Sequence, residues 1–273
     1  MSYVAKTAKY ATLVLACLVT LLPISVIVMA SLKTNQEFYS TGPFDAPGSW
    51  LNLENYVTAF TRGKMVQGFA NTAFILLFSV AGTLVVGTMA AYAIDRFEFR
   101  LKKTVLALFL LATLVPGVTT QVATFQIVNN LGLYNTRWAA IVLFMGTDIV
   151  SIYIFVQFLR GIPKELDEAA TLDGANHFTI YRKIILPLLK PAIATVVIIK
   201  GIAVYNEFYT PFLYMPGRDL GTISTSLFRF KGPFGGEWEV IAAGVIIVLI
   251  PTLIVFLALQ KYIYNGFTSG ATK

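Results

Sequence analysis

Three ionisable side chains interrupt apolar runs that are otherwise nearly free of charge: Asp148, Lys200 and Glu207. Each costs about 2.5–3.5 kcal/mol at the centre of a hydrocarbon layer, so they need partners or a watery cavity. Lys200 and Glu207 lie two helical turns apart on nearly the same face. Two chemistries fit this spacing. One is a polar path for a solute; the other is an ion pair, Asp148 with Lys200, that locks two helices. Glu207, beside Asn206, reads as part of a path or gate. A further polar run holds Pro116, Thr119, Thr120, Gln121, Thr124 and Gln126. Gln121 with Tyr205 and Tyr209 would offer amide, hydroxyl and aromatic faces to a polar solute, while the threonines suit hydrogen bonding between helices. A single histidine (His177) and a single cysteine (Cys17) exclude a zinc cluster or a disulfide framework. No nucleophile–base pair is recognisable, so an enzyme is not expected.

The elements that carry these residues follow from hydropathy. The chain is 56% hydrophobic and only 13% charged, about half the charge of a soluble domain. A crossing helix needs about 20 mostly apolar residues. Six runs qualify: about 10–32, 69–94, 104–128, 138–159, 188–212 and 240–260. The expected fold is therefore an all-α membrane protein of six transmembrane helices in one transmembrane domain over 1–273. The first run follows Lys6 and Lys9 but is far longer than the apolar region of a cleaved signal, so it is expected to stay as an anchor. Lys and Arg gather at Arg96–Lys103, Arg160–Lys164 and Arg182–Lys190, which puts these segments and both termini on the cytoplasmic side. The net charge of +7 is largely this topology signal and not a nucleic-acid surface. Gly82 and Gly87 in the second run suit close helix packing.

One stretch does not fit a chain of spans and bare connections. The cytoplasmic segment 160–187 contains EAATLDGANHFTIYRKIILP. Pro163 suits a first helical position, and Glu165, Asp167 and Glu168 follow near the positive end of a helix dipole. Asp173-Gly174 supplies a stop with a residue free to turn left-handed, and Asn176 can cap a second helix starting near His177. Leu166, Ala169 and Ala170 share one small apolar face. A capped helix–turn–helix of this kind is expected to dock a partner.

These residues resemble the EAA loop of binding-protein-dependent ABC importer permeases. The likeness rests on Glu168-Ala169-Ala170, Asp173-Gly174-Ala175, Phe178, Ile184, Leu186-Pro187 and Pro191. Asn206-Glu207-Phe208 and Ser269-Gly270-Ala271 further resemble the carbohydrate branch, in particular the smaller maltose/trehalose-type permease subunit. The likeness covers about residues 10–271. It implies a type I ABC importer permease fold and a subunit in the cell inner membrane. It also implies that the EAA helix, from Glu168 through Pro187, seats in an ATPase partner. The partners implied are a second permease subunit, two copies of an ATP-binding subunit and an extracytoplasmic substrate-binding protein. ATP and Mg would belong to the ATPase, with no cofactor in this chain; indeed no GxxxxGK[ST] phosphate loop occurs. The expected cargo is a di- or oligosaccharide. The competing readings are a phosphorylated polyol such as glycerol phosphate, suggested by Lys200, or an ion-coupled secondary carrier using Asp148 and Glu207. In the maltose-type family the loop before the last span reaches into the binding protein, which here would use Gly232, Pro233, Phe234 and Gly235; an ordinary ordered loop is the alternative.

Overall fold

The computed structural model describes residues 3–146, 148–232 and 235–271. Nearly all of its regular structure is helical, because in lipid the backbone must satisfy its own polar groups. Helix α1 (Tyr3–Leu32) is followed by α2 (Asn35–Ser40), α3 (Glu54–Arg62) and α4 (Met65–Arg96). Then come α5 (Lys102–Leu114), α6 (Gly117–Asn130), α7 (Arg137–Met145), α8 (Ile149–Leu159), α9 (Glu165–Leu172) and α10 (His177–Ile180). A π-helical turn, Tyr181–Ile185, leads to α11 (Leu186–Leu188), α12 (Lys190–Asn206), α13 (Tyr209–Tyr214) and α14 (Ile223–Ser226). A two-stranded hairpin, β1 (Lys231–Gly232) and β2 (Gly235–Gly236), precedes α15 (Trp238–Ala271).

Among the described residues, four helical stretches are long and apolar enough to cross a membrane: Lys6–Leu32, Met65–Arg96, Arg137–Leu159 and Trp238–Ala258. Of the other two expected spans, the one at 104–128 is bent by 104° between Lys102–Leu114 and Gly117–Asn130, and the one at 188–212 is entered from His177–Leu188 through a 72° bend at its start, before Lys190–Asn206. The cause of the first break is Pro116, which lacks an N–H and forces the residue before it out of helical geometry; Val115 is extended at φ −79°, ψ 115°. The run expected at 188–212 also ends early. Helix α12 stops at Asn206, and Glu207 is extended at φ −69°, ψ 120°.

The chain divides into two compact units, Met1–Gly68 with Ile223–Leu257, and Phe69–Thr222 with Ala258–Lys273. In the first, α1 buries nothing along its apolar window, as a helix apolar on all sides and solvated by lipid would. Its C-terminal end is tied down by polar contacts. Asn55 Nδ2 donates to the carbonyls of Ser31 (2.9 Å) and Lys33 (2.7 Å), and the buried Lys33 ammonium donates to Thr41 Oγ1 and the Gly42 carbonyl. Thr34 and Glu37 form a capping box for α2.

The second unit holds the main core: Phe155, Leu159, Ile180, Ile185, Leu189 and Val196 are buried around Ala91, Tyr92 and Ile152. Gly82 and Gly87 of α4 do allow close approach within this unit. A Cβ at Gly82 would stand 2.8 Å from Met145 Cε, and one at Gly87 would stand 3.1 Å from Phe155 Cε2.

Candidate functional site

The segment after α8 is built by local signals. Glu165, Asp167 and Glu168 occupy the first turn of α9, where the helix dipole favours acids. The helix closes through Gly174 at φ +82°. The Gly174 N–H bonds the Thr171 carbonyl at 3.0 Å and the Ala175 N–H bonds the Ala170 carbonyl at 2.9 Å. This pair of bonds is a Schellman closure. Asn176 Oδ1 accepts from the Thr179 N–H at 2.8 Å and caps α10. The chain then turns through Leu186 (half-buried) and Pro187 (exposed) into α12.

The structure divides the apolar face expected on α9. Ala170 is buried in the chain's own core, and Ala175 packs half-buried against that core. Leu166, Glu168 and Ala169 face outward. Two large apolar side chains add to the outward surface: Leu172 is 89% exposed and Phe178 62% exposed. His177 meets Phe97 edge-on with ring centroids 5.0 Å apart, so the single histidine packs at the base of this segment. The Tyr181 hydroxyl shares a 2.8 Å hydrogen bond with Thr88 Oγ1 of α4.

Sequence reasoning missed the anchor of this segment. Arg96, the last residue of α4, is only 6% exposed along its side chain. Its Nη1 lies 2.9 Å from Asp95 Oδ2, its Nε lies 3.0 Å from Asp167 Oδ2, and its Nη2 donates to the Ile162 carbonyl at 3.0 Å. In the sequence Arg96 reads as one more cation of the topology signal; an adjacent Asp-Arg pair at the end of a long apolar run was the signal available. Nearby, hydrogen bonding to Lys102 first, then the charges of Lys102 and Lys164, hold the Glu98 carboxyl below its usual range.

The intramembrane polar residues fall into two groups. Lys200 Nζ lies 2.8 Å from Asp148 Oδ2, both largely buried, while Asp148 Oδ1 accepts from the Ser151 N–H at 3.2 Å and caps α8. This pair borders a concave space of about 540 Å³ that Thr113, Phe144 and Gly146 also line. In the other group, Gln121 on α6 donates to the Tyr209 hydroxyl. Glu207 Oε1 accepts the N–H groups of Tyr209 (2.9 Å) and Thr210 (3.1 Å), so this carboxylate caps α13 across the break after α12. Tyr205 is half-buried and Asn206 exposed on the last turn of α12. The structure thus brings Gln121, Tyr209 and Glu207 together and places Lys200 with Asp148.

Of the four residues expected to touch a binding protein, Gly232 and Gly235 face each other across the antiparallel hairpin. Pro233 and Phe234 lie outside the described residues. The base of the hairpin is held by a bidentate pair, Arg62 with Glu237 at 2.9 Å on both oxygens. The Tyr39 hydroxyl also donates to the Gly236 carbonyl at 2.9 Å.

Comparison with known proteins agrees with the helical architecture. The family described as "Binding-protein-dependent transport system inner membrane component" matches residues 83–268. The chain is 32% identical to the melibiose/raffinose/stachyose import permease protein MelC of Bacillus subtilis, covering 92% of this chain and 91% of MelC. It is 29% identical to the arabinooligosaccharides transport system permease protein AraQ of Halalkalibacterium halodurans, covering 93% and 92%. Among solved structures, a chain of a bacterial ABC transporter involved in the import of the acidic polysaccharide alginate superposes with a TM-score of 0.82 at 21% identity. That match covers 96% of this chain and 98% of the other, and shows a shared fold. This multi-pass membrane protein therefore belongs to the family of binding-protein-dependent transport system inner membrane components.

Proposed function

We propose that the chain is one of two permease subunits of an ATP-driven importer for a di- or oligosaccharide. In this reading both termini are cytoplasmic, and an extracytoplasmic binding protein delivers the sugar. The observation that carries the reading is the segment 162–187. It is a two-turn helix closed by Gly174, tied to the core through Ala170, and displaying Leu166, Ala169, Leu172 and Phe178 outward. A solvated connection has no need of two large exposed apolar side chains beside a small alanine surface. A groove in an ATP-hydrolysing partner would cover them, and nucleotide-driven movement of that partner would then be delivered to α9. Glu168, Asp173, Ala175, Leu186 and Pro187 shape this element.

The sugar assignment is supported by relatives whose names specify carbohydrates and by the Gln121–Tyr209–Glu207 group. Its amide, phenol and carboxylate offer hydrogen bonds suited to a neutral polyol. Tyr205 and Asn206 extend this group along α12. Pairing with Asp148 neutralises Lys200, which removes the free cation on which a phosphorylated cargo would depend. Lys200 and Asp148 are assigned as a polar wall of the pathway that also ties α8 to α12.

The test is mild-detergent purification of the tagged chain from its native membrane. An ATPase and a second permease should co-purify, and a binding protein retained with them should bind melibiose, raffinose or a related oligosaccharide. Recovery of the chain alone, under conditions that preserve other membrane complexes, refutes the assignment.

A further inference from the structure

We propose that Arg96 is a positioning residue that makes α9 and α4 move as one body, so that force applied to α9 reaches the membrane-spanning helix without slack. The inference rests on the coupling role given to α9 above. It begins from a mechanical difficulty. Helix α9 has eight residues, too few to be stable or stiff alone, and only Ala170 among them is buried. Its C-terminal end is held by the Schellman bonds to Gly174 and Ala175. Without a second anchor its N-terminal end could pivot about that point.

Arg96 supplies the second anchor. One planar guanidinium reaches three groups: Asp95 on its own helix, Asp167 in the first turn of α9, and the Ile162 carbonyl just before Pro163. The planar fork of an arginine holds its acceptors in fixed directions, which the rotatable ammonium of a lysine does not. Helix dipoles reinforce the arrangement, since Arg96 sits at the C-terminal end of α4 and Asp167 near the N-terminal start of α9. The site is nearly dry: the side chains of Arg96, Asp95 and Asp167 are 6%, 9% and 18% exposed. Water screening is correspondingly weak. Neither Asp167 carboxylate oxygen nor Arg96 Nε makes a hydrogen bond within the described residues, so their link is a close ion pair, and Arg96 is the ion-pair partner of Asp167 among the described residues. The result is a strut between the end of α4 and the beginning of α9.

The experiment uses the complete importer complex, with Cys17 replaced by serine and spin labels at Glu165→Cys on α9 and Met89→Cys on α4. The interlabel distance is read by pulsed electron resonance without nucleotide and with ATP plus vanadate. With Arg96 and Asp167 intact, the distance should be the same in both states. Asp167→Asn removes only the ionic contact to α9 and leaves Arg96 bound to Asp95 and Ile162, so folding is not at risk. In that variant the mean distance should shift by about 2 Å or more between states, the scale of helix movements at interfaces. Arg96→Lys, which keeps the charge but loses the fork, should give an intermediate shift. An unchanged distance in Asp167→Asn and Arg96→Lys, with the ATPase still bound, overturns the strut alone. Failure of the ATPase to remain with the unsubstituted chain overturns the coupling reading, and the strut with it.

Discussion

Gly174 is the position at which the physical account can be tested most sharply. Its φ of +82° lies in the left-handed region, and a Cβ added there would meet no atom within 4 Å. Crowding therefore contributes nothing, and any effect of substitution must come from backbone conformation. An L-residue held in the left-handed region costs about 1–2 kcal/mol, with β-branched side chains worse and asparagine best tolerated. If the backbone escapes the strain, it gives up the hydrogen bonds from Gly174 to Thr171 and from Ala175 to Ala170, about 1 kcal/mol each.

Either route costs about 1–2 kcal/mol for alanine and about 2–3 kcal/mol for valine. At 1.4 kcal/mol per factor of ten, the closed turn becomes roughly tenfold rarer with Gly174→Ala and about a hundredfold rarer with Gly174→Val. Gly174→Asn should lose the least. The assay is uptake of the imported sugar by cells, normalised to the amount of the chain in the membrane. Uptake should fall in the order Asn, Ala, Val, with Val abolishing transport while insertion stays normal. Normal uptake with valine would remove the turn from the coupling mechanism. Equal losses for all three variants would show that side-chain contact, and not φ, governs the site.

The remaining predictions concern packing and charge. Replacing Lys200 with glutamine should destabilise the purified chain by about 3 kcal/mol, because it strands the largely buried Asp148 carboxylate. The double variant Lys200→Gln/Asp148→Asn should melt at a higher temperature than Lys200→Gln alone, and the reverse order would show that the pair is not a unit. Gly82→Ala should cost about 1–3 kcal/mol, because its Cβ would stand 2.9 Å from Met145 Cβ, an atom no rotamer change can move. Gly87→Ala, 3.1 Å from the Phe155 ring edge, should cost less in the same thermal melt. The Glu37 carboxyl is held below its usual value of 4.5, chiefly by the Thr34 N–H it accepts. A depressed folded value means its stabilisation is present above about pH 4.5 and is lost as pH falls below it. Protection from hydrogen exchange over residues 34–41, measured against the intrinsic exchange rate at each pH, should therefore fall in acid, and Glu37→Gln should flatten that response.

What could be read in advance, and what could not, divides along the range of the interaction. The helix–turn–helix at 162–187 was legible because Gly174 and Asn176 act on bonds within five residues of themselves, and spacing alone locates them; Pro163, expected at the first helical position, stands two residues before α9 begins. The Asp148–Lys200 pair could be proposed as one of two options, because two opposite charges inside apolar runs have few ways to be tolerated. The breaks were misjudged for a different reason. Pro116 was taken into a polar run, although its missing N–H forces the 104° bend; proline in a span is compatible with either a kink or a break, and neighbouring contacts decide. Glu207 looks in sequence like a charge buried within one helix. In the structure it lies after that helix ends and caps the next, so two backbone N–H groups help to offset its cost. Arg96 is the extreme case. Its meaning depends on Asp167, which lies in a different helix, and a cation at the end of a long apolar run already has a sufficient explanation as a topology signal. A residue that satisfies one rule completely conceals its second role, and only the placement of Asp167 and the Ile162 carbonyl around the guanidinium makes that role visible.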